Sequence, residues 1–238
     1  MAFGSAYPMS CCSQLQALKR AGEVAFVTIF GHRGSPFEAP ENTLASFRAA
    51  AAAGADGIEL DVRWGDGGEL LVHHDPLPDP VPSEAPTLGE AMAACGGLIV
   101  NVEIKNLPTE PGWDAEEQVA LAVAEEMRSR ADRVLVSAFT LASIDAVRAA
   151  APEVPTGWLT LAGFDQVDAV ATAAERGHSA LHPHHSAVTP ELVDAVHAAG
   201  LRLNTWTVDD AARMRELAAM GVDGIITNLP GLAVRTLR

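Results

Sequence analysis

Residues 57–75 read GIELDVRWGDGGELLVHHD, and they set the topology of the whole chain. Two β-prone runs, GIELDVR and ELLVHHD, are separated only by WGDGG. A parallel crossover needs about a dozen residues or more, so this pair forms an antiparallel hairpin. With the turn centred near Asp66–Gly67, Glu59 is expected opposite His74. Side chains alternate along a strand, so Glu59 and Asp61 share one face and His74 joins it. His73 is expected on the other face, toward packing. Two carboxylates and a histidine converging at one strand end make a site rather than a core.

Outward from the hairpin, short apolar runs alternate with Ala-rich helical stretches, the pattern of parallel α/β architecture. The barrel strands are expected at 24–31 (VAFVTIFG), 57–62, 98–104 (LIVNVEI) and 133–139 (RVLVSAF). They continue at 156–160 (TGWLT), 179–183 (SALHP), 201–207 (LRLNTWT) and 224–228 (GIITN). A helical segment such as ENTLASFRAAAAAG or TPELVDAVHAAG follows each strand, the last being GLAVRTLR, and several end on Gly, as helix C-termini do. Eight strands and eight helices predict a (β/α)8 TIM barrel with a short β-hairpin extension after the second strand. Residues 21–238 form that single catalytic domain, and residues 1–20 read as a leader or a short helix covering the barrel bottom.

The 238 residues suit one barrel, for which about 250 is typical. A hydrophobic fraction of 48% supports a large core. The formal charge of −15 argues against nucleic acid or an anionic membrane as partner, while a bound metal and a few local cations still let a pocket accept a small phosphorylated molecule. Adjacent Cys11 and Cys12, with Cys95 far away, show neither disulfide nor metal spacing. The first twenty residues lack a basic stretch followed by an apolar one, and no apolar run approaches a membrane span of about 18 residues. Both features, with the sparse cysteines, point to a cytoplasmic protein without membrane insertion. Oligomeric state leaves no mark in the sequence.

Catalytic groups of such barrels sit at the C-terminal ends of the strands. There the chain places His32 and Arg33, then Glu59 and Asp61, then His74 and Asp75 on the hairpin, and Glu103 with Lys105. Any one of these acids alone reads as an ordinary solvated strand end. Glu59, Asp61 and Glu103 together form an all-oxygen cluster suited to Mg²⁺ or Ca²⁺ rather than zinc, and without a cation they raise one another's pKa. Two histidines flanking such a cluster make a general base and a general acid. Arg33 and Lys105 supply positive charge for a phosphate, and a salt bridge from Lys105 to Glu103 or Asp61 is compatible with that role. Asp75 is placed to orient His74. Phe139 and Trp206 end strands at the mouth, either lining the pocket or packing the barrel top. His182, His184 and His185 end another strand without a neighbouring carboxylate, and Pro183 interrupts it. His178 and His197 read as surface residues.

Several of these groups fall into an ordered series: HRG (32–34), Glu41-Asn42-Thr43, ELDV (59–62), HDP (74–76), EIK (103–105), WTV (206–208) and GVDGIITNLP (221–230). In this order and spacing the chain resembles the glycerophosphodiester phosphodiesterase family from about residue 30 to 232. The resemblance implies a barrel that uses a divalent cation to hydrolyse small-molecule glycerophosphodiesters to glycerol phosphate and an alcohol. It implies Glu59, Asp61 and Glu103 as metal ligands and His32 and His74 as catalytic residues. It further implies Arg33 and Lys105 as phosphate contacts, with Glu41 at the pocket edge as a further ligand or hydrogen-bond acceptor. Two departures stand out. A short Pro-rich loop, PLPDPVPSEAP, replaces a longer family insertion, which leaves the pocket more open. Asn228 stands where the family usually has Asp, a position expected to be structural with little effect on catalysis. Alternative readings are a lysophospholipase D-like enzyme acting on lysolipids and a non-catalytic barrel that binds phosphorylated ligands.

Overall fold

A computed structural model describes residues 26–65 and 67–238. The leader expected over 1–20, Cys11, Cys12 and Asp66 of the hairpin turn lie outside the described residues. The strands are β1 (Thr28–His32), β2 (Gly57–Trp64), β3 (Leu70–Val72), β4 (Ile99–Ile104) and β5 (Val134–Ala138), followed by β6 (Thr156–Thr160), β7 (Ala180–Pro183), β8 (Arg202–Thr205) and β9 (Gly224–Thr227). The helices are α1 (Leu44–Ala52), α2 (Leu88–Cys95), α3 (Gln118–Met127) and α4 (Leu141–Ala150), then α5 (Gln166–Glu175), α6 (Pro190–Ala198), α7 (Ala211–Met220) and α8 (Pro230–Leu237). Strand β1 pairs in parallel with both β2 and β9, closing eight strands into a barrel, and β3 is appended antiparallel to the upper end of β2. This is the expected (β/α)8 barrel with its hairpin. No helix among the described residues is long and apolar enough to cross a membrane.

Local sequence sets the helix boundaries. Thr43, Asp165, Thr189 and Asp210 each accept a backbone N–H at a helix start, and Thr87 with Glu90 forms a reciprocal capping box on α2. Gly221 ends α7 in the left-handed conformation. The main core lies between the outer barrel wall and the helices. Ile58, Leu60, Val62, Val102, Val136 and Leu203 meet Phe47, Leu88, Ile144, Met214 and Leu217, all fully buried. Each such side chain contributes about 1.5–3 kcal/mol through burial. The alternate strand positions face the barrel axis and are polar: Glu59, Asp61, Asn101, Glu103, Ser137, His182 and Asn204 are all buried. Near the bottom, Phe30 fills notches left by two glycines. A Cβ on Gly57 would stand 2.5 Å from its ring and one on Gly224 3.1 Å from it.

Two strand details differ from the sequence reading. The hairpin pairs Val62 with Val72 and Trp64 with Leu70, one residue away from the register that sets Glu59 opposite His74. The cause is the turn. Gly65 donates to the Glu69 carbonyl at 2.8 Å, and Gly68 adopts φ +84°, so the loop spans three residues instead of two. Strand β3 ends at Val72, and a last rung, from His73 N–H to the Asp61 carbonyl at 3.1 Å, follows it, so strand alternation no longer governs His74. In β7, Pro183 does not interrupt the strand but forms its last residue, where a missing N–H is tolerated.

The turn after β1 carries the backbone of the future site. Gly34 adopts φ +91°, and a Cβ there would lie 2.4 Å from Ser46 Oγ and 2.6 Å from the Ser46 carbonyl carbon. Ser46 Oγ donates to the Arg33 carbonyl at 2.9 Å and accepts from Ser35 N–H at 2.7 Å, which locks the turn onto α1. Gly34→Ala is therefore expected to lower stability by more than about 1 kcal/mol, measured as a shift in the denaturant midpoint. An unchanged midpoint would mean that the turn is not held against α1.

Candidate active site

Four elements deliver charged side chains to the top of the barrel. From the turn after β1, Arg33 (φ +53°) donates its backbone N–H to Glu59 Oε2 at 2.9 Å. Its guanidinium reaches Asp61 Oδ2 at 3.2 Å and Glu41 Oε1 at 2.8 Å. Glu41 thus sits at the pocket edge as a partner of Arg33 and stays half exposed. Asn42, buried with φ +56°, donates Nδ2–H to Asp61 Oδ2 at 2.8 Å and accepts the Asp61 backbone N–H at 3.3 Å. Asparagine is one of the few residues other than glycine that readily adopts this conformation. The Glu41-Asn42-Thr43 motif is more than a helix start, because it fixes a carboxylate 19 residues away.

Strands β2 and β4 run in register, with Asp61 beside Glu103 and Glu59 beside Asn101. Each of Glu59, Asp61 and Glu103 offers a carboxylate oxygen lying within 4.8 Å of the others, and all three are buried. At an effective dielectric of about 20, two like charges at that separation repel by about 3 kcal/mol. Three such pairs approach the net stability of a whole domain, about 5–15 kcal/mol. Cations or protonation of an acid must offset that repulsion. Lys105 supplies one cation, with Nζ 3.1 Å from Asp61 Oδ1 and in a short hydrogen bond to Glu103 Oε1. Burial works to raise the Asp61 carboxyl, but Lys105 and then Arg33 outweigh it and hold Asp61 below the usual range. Glu59 is pushed well up by burial and by the charges of Asp61 and Glu103. Glu103 is also raised by burial, against the pull of Lys105. Glu59 Oε1 is buried without any hydrogen-bond partner, an acceptor facing an unmet demand for positive charge.

The two histidines stand in different settings. His32 ends β1 with Nε2 3.9 Å from Glu59 Oε2, and its Nδ1 meets Asn228 Oδ1 at 2.7 Å. Burial, then the positive charge of Arg33, lowers its pKa. Asn228 contacts this histidine directly, so it does more than close a strand end. His74 is half exposed, its Nδ1 meets Asp75 Oδ1 at 2.8 Å, and a charge on its ring acts on Asp61. His73 does not turn into packing; its Nδ1 meets the Asp75 carbonyl at 2.8 Å.

Arg63 escaped the sequence reading. Its nearly buried guanidinium donates to the His74 carbonyl at 2.8 Å, the Lys105 carbonyl at 3.4 Å and Glu110 Oε2 at 2.7 Å. One side chain thereby ties together the hairpin end, the end of β4 and the loop before α3. Its place two residues beyond Asp61 on the same face was the available signal. Phe139 borders the cluster, with Lys105 Nζ 5.7 Å from its ring centre, and Trp206 packs edge to face on Phe139 at 5.4 Å. His182 is fully buried, accepts from Asn204 Nδ2 at 2.9 Å and is lowered to about 3 by burial and then Arg202. His184 and His185 stack on each other at 4.6 Å. His178 is buried, not at the surface, because its ring bonds Thr156 Oγ1 at 2.9 Å and faces Asp145. His197, half exposed, bonds Asp223 at 2.8 Å.

Comparison with known proteins places this arrangement in context. The model of the glycerophosphoryl diester phosphodiesterase family matches residues 32–85 and 76–232. A glycerophosphodiester phosphodiesterase from Caldanaerobacter subterraneus subsp. tengcongensis is 32% identical, over 88% of this chain and 97% of the relative. A solved structure from Silicibacter pomeroyi is 27% identical with a TM-score of 0.80, covering 94% of this chain and 97% of that one. An Oleispira antarctica phosphodiesterase in complex with the product sn-glycerol-3-phosphate shares the fold, at 23% identity and a TM-score of 0.76, with 88% and 96% covered.

Removing the Arg63 clamp tests how far the site depends on it. Arg63→Met is expected to cost about 2 kcal/mol of stability, since it strands two carbonyls and a carboxylate. Equilibrium urea unfolding measures this, and a change below about 0.5 kcal/mol would show the three contacts to be dispensable.

Proposed function

The chain belongs to the glycerophosphoryl diester phosphodiesterase family, and from that premise we propose a metal-assisted, two-histidine hydrolysis of glycerophosphodiesters to glycerol 3-phosphate and an alcohol. The observation that carries this reading is the buried carboxylate cluster flanked by His32 and His74. The residues fit a hard divalent cation: three oxygen donors converge, and one, Glu59 Oε1, has no other partner. Glu59, Asp61 and Glu103 would hold Mg²⁺ or Ca²⁺. Bound there, such an ion supplies Lewis-acid neutralisation of the charge that builds on the phosphate oxygens. Charge balance supports the assignment. Three carboxylates against Arg33 and Lys105 leave one net negative charge. A divalent ion turns it into one positive charge, which a phosphodiester's single negative charge neutralises.

The chain's own residues supply the rest. Arg33 and Lys105 orient the phosphate, the arginine through its planar fork. Phe139 and Trp206 form a wall for the alcohol group. His32, buried and held toward the neutral form, takes at Nε2 the proton of the attacking hydroxyl, either that of water or that of the glycerol 2-position. Attack by the latter gives a cyclic glycerol phosphate that a water molecule then opens to glycerol 3-phosphate. His74, backed by the Asp75 carboxylate, carries the proton given to the leaving alkoxide. The complex of the Oleispira antarctica protein with sn-glycerol-3-phosphate is consistent with that product.

A second reading has one observation in its favour. Phe37, Trp113, Leu161 and Phe164 are exposed on loops that follow β1, β4 and β6 at the barrel top, an apolar rim suited to a lysolipid. Faster turnover of lysophosphatidylcholine than of glycerophosphocholine, lost in Trp113→Ser, would favour it.

The principal test is release of glycerol 3-phosphate from glycerophosphocholine and glycerophosphoethanolamine. Release is expected with Mg²⁺ or Ca²⁺ and should cease with EDTA. His74→Ala should lower kcat by about 10²–10⁴-fold while calorimetric metal binding stays intact. The loss should shrink for a nitrophenyl leaving group, which needs no proton. No release with either metal, from folded protein that binds the ion, would sink the reading.

A further inference from the structure

Behind His32 stands a chain of hydrogen bonds that ends on a residue remote from the carboxylate cluster. Asp209, in the loop between β8 and α7, accepts the Asn228 side-chain Nδ2–H at Oδ2 (2.7 Å) and the Asn228 backbone N–H at Oδ1 (2.8 Å). Oδ1 also accepts the Thr227 hydroxyl at 2.9 Å, and Thr227 Oγ1 in turn accepts Leu229 N–H at 3.0 Å. An ionised carboxylate can only accept hydrogen bonds. The Asn228 amide must therefore turn its NH2 toward Asp209, and its oxygen is left facing His32 Nδ1 at 2.7 Å. That oxygen is an acceptor too, so the ring must carry its proton on Nδ1. The lone pair of the neutral ring then sits on Nε2, the nitrogen that faces Glu59.

We propose that Asp209 and Asn228 are positioning residues that lock His32 in the one tautomer able to act as a base at Nε2. Asp209 does this without touching the ring, by fixing which way round the amide stands. The assignment rests on the reading of His32 as the base. It also separates two substitutions that look equally mild. Asp209→Asn frees the Asn228 amide to rotate, and an NH2 turned toward His32 would demand the opposite tautomer. Asn228→Asp instead sets two carboxylates face to face at hydrogen-bond distance, a like-charge contact. Exchanging the pair, Asp209→Asn with Asn228→Asp, restores one amide donor and one carboxylate acceptor. The ring again meets an acceptor at Nδ1.

The test is a double-mutant cycle with a spectroscopic readout. The two single variants and the exchanged double variant are assayed on glycerophosphocholine, and ¹⁵N-labelled histidine reports the His32 tautomer at about pH 8, where a histidine of ordinary or lowered pKa is neutral. Each single variant is expected to lose about 10²-fold or more in kcat with KM within about twofold, as displaced tautomers do elsewhere. In Asp209→Asn the proton should move from Nδ1 toward Nε2. The exchanged variant should recover most of the lost kcat and the wild-type tautomer, so that the effects are far from additive. An unchanged His32 tautomer in Asp209→Asn, or a double variant whose loss equals the product of the single losses, would overturn the proposal. Wild-type turnover in His32→Ala would instead overturn the reading of His32 as base, and the nitrogen spectrum would still report whether Asp209 sets the tautomer.

Discussion

Three carboxylates confined to one buried volume at the barrel mouth are the constraint around which the surrounding elements are organised. All three are buried, so their repulsion is screened little by solvent and is met by groups the fold itself delivers. Lys105 follows directly on β4, the strand that carries Glu103. Arg33 comes from a left-handed turn after β1, and Asn42 from a second left-handed residue ahead of α1. The backbone conformations that sequence alone would mark as irregular are those that bring partners to Asp61 and Glu59. Asp61 is nearly neutralised by these neighbours, while Glu59 keeps an unmet oxygen. The cluster is thus unevenly satisfied, and the shortfall points to the place where a cation adds most.

The barrel was legible because its evidence is local and repeated. Alternating apolar runs, Gly-terminated helices and a five-residue hairpin gap each follow from chain geometry. The cluster was legible for a related reason: Glu59 and Asp61 share a face by strand alternation, and β4 lies next to β2 in the sheet. The hairpin register was not. Choosing between a two-residue and a three-residue loop depends on whether Gly68 takes a positive φ, and glycine permits either sign.

The supporting residues were the hardest to read. Arg63 donates to carbonyls 11 and 42 residues away, and Asn228 meets a ring 196 residues away. Such bonds have no periodicity, and a lone Arg or Asn on a strand reads as an ordinary solvated end. His178 was misplaced for the same reason. A histidine after a helix looks exposed until Thr156 and Asp145, from two other elements, close over it. What a sequence shows is which groups can do chemistry; what it hides is which groups aim them.

The seat of Phe30 carries a consequence of a different kind. Its ring occupies notches in β2 and β9, the two strands that flank β1 and close the barrel, and two residues further along β1 comes His32. Gly57 and Gly224 are far from the carboxylates in function but not in mechanics. A side chain added at Gly57 would run into the ring, and one at Gly224 would meet the Asn204 amide oxygen at 2.4 Å and then the ring at 3.1 Å, so either presses on the residue that seats β1. In the history of such a chain, the floor of the barrel and its mouth could not drift independently. Change at those two glycines is restricted by a histidine that neither of them touches.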